Sequence, residues 1–448
     1  MKHSICLFLL IILFASCKKD EVYIPTPEPE CILTADEEFL INQLTDEFAY
    51  PLNGAEPDSE DEGLNPLIDY LGDTKLVGLG EATHGTSEFY KMKDKIFRKL
   101  VTQKGFNAII FEIPWGNAKV VNDFVTEGVG SADEVIDQTW YWTYDTQEVR
   151  DLAQWIHDYN LTQSAGEKIH FVGCDPQGND FNIERNMVST YLNQVQPDSS
   201  EMVLSNYSQL PWGEISDYSN EEESIKEANR IGTKKVFDYF VENMDEMINV
   251  SSEFEYEVNK MAAHLIQHRE YIYRTNNFGV PRDSLMAIYS EWWQSILAPE
   301  AKVAIWAHNF HVMDAQDIGA DWMGTYLRQR NGSDYKNVGF SFGKGAFNAF
   351  EAGANGQFVS GVTRQTIPRL TCHSTNHLLS LVAGDQHYLI FDELENESYA
   401  YFESNHPFIQ FGAGFNYDFL QNYTQDFSLS RMFDVLIHFD ETNNSELM

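Results

Sequence analysis

Short apolar runs that end in glycine or an acidic residue alternate with amphipathic stretches along most of this chain. "KLVGLG" (75–80) reads as a strand closed by glycine. The next stretch puts Phe89, Met92, Ile96 and Leu100 on one helical face, with Thr86 or Ser87 as the cap and Gly105 as the stop. "NAIIFE" (107–112) is the following strand, which completes a βαβ unit of the expected length. The order then recurs: a face of Val149, Leu152, Ile156 and Tyr159 precedes "KIHFVG" (168–173). Further strands are expected at 303–307, 337–342, 388–394 and 434–439, and a charged helical stretch at about 200–300. This order predicts an α/β fold: a mainly parallel central sheet flanked by helices, with a helical insertion at about 200–300.

The ionisable residues fall in one kind of place on this map. Glu81 and His84 follow the first strand, Glu112 ends the second, Asp175 follows the third, and His308 and His311 follow "VAIWA". Each group stands at a strand's carboxyl end, the edge of a parallel sheet where loops converge on a ligand crevice.

Charge narrows the partners. With 69 acidic and 30 basic residues the formal net charge is -39, which repels phosphate backbones, so nucleic acid is not expected as a partner. A cationic small molecule would be attracted by the same field. The start, "MKHSICLFLLIILFASC", has a basic end, an apolar run too short to span a bilayer and small residues before Cys17. It resembles a bacterial lipoprotein signal, giving a signal peptide at 1–16, lipidation at Cys17, a proline-rich tether at 17–34 and a domain at 35–448. The expected location is the cell envelope, facing the periplasm or cell surface, with the membrane as a partner through the lipid. Beyond Cys17 only Cys31, Cys174 and Cys372 remain. No CxxC pair exists, so neither a disulfide scaffold nor a thiolate zinc site is expected.

"VGLGEATHGTSEF", "FVGCDPQG", "RDSLMA", "WAHNFHV" and "MGTYLRQR" together resemble the erythromycin esterase family, in order and over most of residues 65–442. The resemblance implies an α/β core with a helical insertion and hydrolysis of macrolide-like lactones without a required metal. It makes His84 the general base, Glu81 a supporting carboxylate, Glu112 a second acidic position, and His308 and His311 the family's histidine pair. Lys93 stands where the family has arginine, which keeps the charge and loses the two-pronged geometry. Ile288 and Tyr289 replace the Glu-Asn that often follows "MA", which bears on substrate contacts from the insertion. Lys93, Asp175 and Arg282 are the expected substrate contacts.

The chemistry can also be argued from the residues. Ester hydrolysis needs an acceptor for a water proton and a donor for the developing oxyanion, and histidine titrates where both roles are open. Glu81 or Glu112 can fix the tautomer of His84, and His308 or His311 can polarise the carbonyl. No cofactor is expected. Three other readings stand beside this one. Ser341 in "GFSFG" fits a nucleophile elbow, although the glycine-rich turn signals after it speak for an ordinary strand residue. His84, His308 and His311 with Glu81 and Glu112 could hold a hydrolytic metal. An envelope lipoprotein could use the same cleft to bind a ligand without turning it over. His264 and His268, Trp292 and Trp293, and the aromatics of "WYWTY" read as packing, and Arg282 with Asp283 as a pair at a helix start.

Overall fold

The computed structural model describes residues 31–448 apart from 140, 299, 369 and 370. The signal peptide, Cys17 and most of the tether lie outside the described residues. Among those described, no helix is long and apolar enough to cross a membrane.

Five runs form the parallel centre of the sheet: β1 (Leu76–Leu79), β2 (Phe106–Phe111), β3 (His170–Gly173), β4 (Lys302–Trp306) and β5 (Tyr335–Ala352). Their residues are buried almost without interruption, as strands covered on both faces require. β6 (Phe358–Ile367) folds back antiparallel on β5, and β7 (Gln386–Ile390) pairs antiparallel with β8 (Val435–Thr442), which runs parallel to β5. The order across the sheet is Tyr50–Pro51, β7, β8, β5, β1, β4, β2, β3. Helix α1 (Ser87–Lys104) connects β1 to β2 and buries Phe89, Met92, Ile96 and Leu100 as the periodicity predicts, and Gly105 ends it with φ 74°.

Register is what places the site. Leu79 pairs with Trp306, Trp306 with Phe111, and Phe111 with Gly173, so four strands reach one level together. Residues one or two places further on, Glu81, His308, Glu112 and Asp175, therefore emerge side by side. Backbone bonds carry the alignment past the strand ends: Ala307 N–H to Leu79 O (3.2 Å), Glu112 N–H to Trp306 O (3.1 Å) and Asn309 N–H to Glu81 O (2.9 Å). Below this row Phe111 stacks between Phe171 (4.2 Å between centroids) and Trp306 (5.0 Å), an aromatic floor under the polar groups.

Between β3 and β4 the chain is helical, from α2 (Asn182–Val195) through α3 (Glu223–Glu242) and α4 (Glu253–Thr275) to α5 (Val280–Leu297). The helical run thus begins nearer 182 than 200. It buries an apolar cluster of its own that includes Leu192, Phe240 and Ile266.

Three expectations need correction. The strand foreseen at 388–394 stops at Ile390, where Phe391–Glu393 form one 3-10 turn. The glycines after Ser341 do not turn the chain, since β5 runs on to Ala352. A Cβ at Gly343 would meet Ser380 Oγ at 2.1 Å, so this glycine permits close packing inside a strand. Cys31 and Cys372, 341 residues apart, form a disulfide with their Cα atoms 5.8 Å apart, where the spacing had suggested none. Sequence separation carries no information about such a pair.

Candidate active site

Glu81 and His84 occupy the turn between β1 and α1, and glycine is required on both sides of them. A Cβ at Gly80 would lie 2.3 Å from Asn309 Oδ1, and one at Gly85 would lie 2.3 Å from Asn348 O. The turn is thereby pressed against the loop after β4 and against β5.

Glu81 is fully buried and divides its oxygens between two partners. Oε1 accepts from His84 Nδ1 at 2.7 Å, and Oε2 accepts from Lys93 Nζ. Burial alone would raise its carboxyl, but Lys93 and His84 outweigh burial and hold it below the ordinary value. Lys93, also fully buried, lies 4.1 Å from the Trp306 ring centroid. Burial lowers the Lys93 ammonium to about 8 against the pull of Glu81 and Glu112, so the pair is ionised at neutral pH. Lys93 was expected to touch substrate, but the structure puts its charge beneath Glu81, out of reach of the cleft.

Nδ1–H of His84 goes to an ionised carboxylate, and in the neutral tautomer that this bond favours the lone pair is on Nε2. The ring is partly open, with 14% of the side chain exposed. A Cβ at Gly412 would lie 3.5 Å from that Nε2, so the glycine leaves free the position beside it.

His308 is committed elsewhere. Its Nδ1 accepts from Phe310 N–H (3.1 Å), so Nε2 carries the proton and donates to Phe411 O (3.0 Å). Burial and the neighbouring His84 push its pKa down to about 3. This neutral ring pins the segment that carries Gly412 beside His84, and has no free donor for a substrate. Its backbone N–H donates to Glu112 Oε2 (3.0 Å), which ties the two halves of the site together.

The second half is a charge network. Glu112 Oε1 lies 2.7 Å from Arg282 Nη2 and 3.1 Å from His311 Nε2, while Arg282 also holds Asp175 in two-pronged fashion at 3.0 and 2.7 Å. His311 Nδ1 donates to Asp283 Oδ1 at 2.6 Å. Burial works against a charged His311, but Glu112 and Asp283 prevail and raise it to about 10. Arg282 Nη1 lies 3.2 Å from His311 Nε2, a spacing that would suit a neutral ring accepting a bond. Three carboxylates surround the Arg282–His311 pair, Glu112 and Asp175 on Arg282 and Asp283 on His311, so the protonated state of His311 balances better and the Arg282 contact is a close approach of two cations. Glu112 is held well below the usual carboxyl range: burial opposes this, and His311 and Arg282 overcome it.

The structure thus unites Glu81, His84 and Lys93 in one cluster and Glu112, Asp175, Arg282 and His311 in another, with His308 between. Asp175 is 1% exposed and faces Arg282, so it orients that cation. Arg282 does not pair with Asp283, because neighbours on a helix point about 100° apart. Asp283 is the residue that sequence reasoning passed over; it stands in "RDSLMA", where its only foreseen partner was Arg282. Phe411 and Gly412 were also missed, since their role runs through backbone.

Two other readings meet obstacles. Ser341 Oγ does contact His438 Nδ1 (3.1 Å), but both are buried inside the sheet, Nε2 of that histidine faces Ser380, and no helix follows the serine. For a metal, His308 and His311 have both ring nitrogens engaged. Among the described residues only Cys31, Cys372 and His373 bring three ligand atoms within 4.8 Å of one another, and two of these form the disulfide. His264 and His268 pack together, with Tyr289 Oη 3.0 Å from His264 Nδ1, and Trp293 is core, its Nε1–H bonded to Gly173 O. A cavity of 520 Å³ lined by His268, Arg274, Ser284 and Ile288 lies on the face of α5 away from Arg282. One of 290 Å³ is lined by Asn117, Tyr141, Asp180 and Arg269.

Residues 101–442 match the family model for erythromycin esterase. "Erythromycin esterase type II" of Escherichia coli is 30% identical over 119 residues, 27% of either chain, so the match spans about a quarter of that relative's length. "Putative hydrolase YbfO" of Bacillus subtilis (strain 168) is 23% identical over 331 residues, 66% of this chain and 70% of the other. Among solved structures, one described as a succinoglycan biosynthesis protein superposes with a TM-score of 0.80 at 25% identity, covering 93% of this chain and 100% of that one. An erythromycin esterase mutant in its open conformation shares the fold at 16% identity, with a TM-score of 0.68 over 89% and 99% of the two chains. The matched family region includes Glu112, Asp175, Arg282, His308 and His311 but begins after Lys93, so the case for Glu81 and His84 rests on their geometry.

Proposed function

Because the chain belongs to the erythromycin esterase family, we propose that this hydrolase cleaves a carboxylic ester or a macrolide-like lactone with water activated by His84, without a metal. One observation carries the reading: His84 Nδ1 is anchored 2.7 Å from a buried, ionised Glu81 while its Nε2 is open beside Gly412. In the attack, Nε2 takes a proton from water as the water oxygen bonds to the carbonyl carbon. The imidazolium so formed is stabilised by Glu81, whose own charge is steadied by Lys93. Charge developing on the carbonyl oxygen meets the cationic edge of Arg282 and His311. The lipid expected at Cys17 would hold the enzyme on the cell envelope, and Cys17→Ser would move it from the membrane to the soluble fraction.

The test is a panel of macrolides, simple lactones and aliphatic esters, run with His84→Ala and with chelator. Turnover that survives chelation and falls by about 10²–10⁴ in His84→Ala is the expected result. An unimpaired His84→Ala protein refutes the water-activation role, and loss of activity on chelation refutes the metal-free mechanism.

A further inference from the structure

His84 and His311 are held alike, each through Nδ1 by a buried carboxylate, but the second carboxylate comes from the helical layer. Asp283, in the first turn of α5 and 1% exposed, places Oδ1 2.6 Å from His311 Nδ1 and 3.0 Å from Met323 N–H. The remaining groups facing the His311 ring are Glu112 and Arg282 at Nε2 and the indole edge of Trp322 at 5.8 Å between centroids, with Asp175 behind Arg282. The two rings differ at Nε2: that of His84 faces the open position beside Gly412, whereas that of His311 meets Glu112 Oε1 at 3.1 Å, the contact of a ring nitrogen that carries a proton. Two imidazoles, one open to water at Nε2 and one bonded to carboxylates through both ring nitrogens, can divide the base and acid roles between them.

We propose that Asp283 is a positioning residue for the reaction, holding His311 through Nδ1 so that its Nε2–H, which rests on Glu112 in the free protein, is passed to the leaving oxygen of the ester. The inference rests on the hydrolase reading above and deepens it. His84 removes one proton from water, and the water oxygen bonds to the carbonyl carbon. When the bond from that carbon to the alkoxy oxygen breaks, its electron pair stays on the oxygen, which takes the Nε2 proton of His311. The products are an acid and an alcohol. His311 is left neutral between Asp283 and Glu112, and the proton on His84 returns to it through solvent.

Leaving-group dependence tests this. An alkyl ester expels a basic alkoxide that needs a proton, whereas a 4-nitrophenyl ester of the same acid expels a stable anion that does not. Asp283→Asn is expected to lower kcat for the alkyl ester by about 10²–10⁴, with KM within about threefold and less than about a tenfold loss on the nitrophenyl ester. Asp283→Glu is expected to restore part of the loss. Equal losses on both esters overturn the proposal and leave Asp283 a structural residue.

A second measurement needs no variant: 15N-histidine spectra of the wild-type protein are expected to show His311 as an imidazolium, protonated at Nδ1 and Nε2, through pH 8. A neutral His311 at pH 7 overturns the proposal even where Asp283→Asn fails to fold. Absence of wild-type turnover on both esters counts against the hydrolase reading instead, and the spectra then decide the state of His311 alone.

Discussion

The ammonium of Lys93 sits on the one Glu81 oxygen that His84 does not use. The base is thus the exposed end of a chain of three side chains, and its inner end is a cation sealed from water. Removing that cation in Lys93→Met leaves an unpaired carboxylate in the interior, which costs about 3–5 kcal/mol of stability. Without the cation that holds its carboxyl down, Glu81 protonates more readily and stabilises the His84 imidazolium less well. A kcat loss of about ten- to a hundredfold follows, part of what a general base supplies. Because Lys93 itself titrates at about 8, wild-type kcat/KM is expected to decline above that pH. Lys93→Arg, which stays charged, is expected to remove the decline. A pH–rate profile beside urea unfolding of the three proteins checks both halves.

Gly412 offers a steric test of where the water stands. Its φ is not positive, so side chains are allowed there, and a Cβ would lie in ordinary contact with His84 Nε2. Gly412→Ala is expected to keep most activity, while Gly412→Leu fills the position of the attacking water and lowers kcat by about tenfold or more. Near-equal melting temperatures with divergent kcat values would support the placement. A fully active Gly412→Leu would move the water elsewhere.

Strand ends were legible in the sequence because buried parallel strands are continuous apolar runs, and a polar residue that ends one is conspicuous. That is enough to find Glu81, Glu112, Asp175 and His308. Their arrangement was not legible: β1 lies between β4 and β5, more than 200 residues away in the chain, and no local pattern fixes which strands adjoin. The partner of His311 was hidden for the same reason. Lys93 is a different case, since it stands four residues from both Phe89 and Phe97 on the buried face of α1. That spacing already marks a lysine pointing inward.

Stability should peak near neutrality, with different histidines responsible for each flank. His308 and His264 fall to about 3, and His170 and His387 to about 4, in each case chiefly because they are buried. Unfolded histidine binds its proton near pH 6.5. Below that pH the unfolded chain takes up protons that these four sites refuse, so stability falls as pH drops. His311 acts in the opposite sense. Raised to about 10, it contributes fully below about 6.5, and that contribution is lost as pH climbs toward 10. Urea midpoints measured between about pH 4.5 and 8, below the range where Lys93, lowered to about 8, begins to offset the His311 loss, are expected to peak at about 6.5–7. His311→Gln should flatten the alkaline flank and leave the acid one; a flat wild-type curve would contradict both assignments.

The Cys31–Cys372 bridge closes a loop of most of the chain, for which the chain-entropy relation gives about 6 kcal/mol. Its effect on the folded protein is local. Cys31 precedes a helix, Ala35–Gln43, that is held independently by buried Leu40 and Ile41 and by Ser398 Oγ donating to Gln43 Oε1 (2.5 Å). Glu37 also pairs with His373 at 2.8 Å, next to the bridge. Cys31→Ser is therefore expected to lower the urea midpoint and expose residues 31–50 to protease, while kcat stays unchanged because no site residue contacts this edge. Such a bridge persists in an oxidising compartment, which export of the protein would provide. Exported protein should carry no free thiol at Cys31 or Cys372 by mass mapping of unreduced peptides. Free thiols at both positions would count against export, and a loss of turnover in Cys31→Ser would show that the clasp reaches the active site.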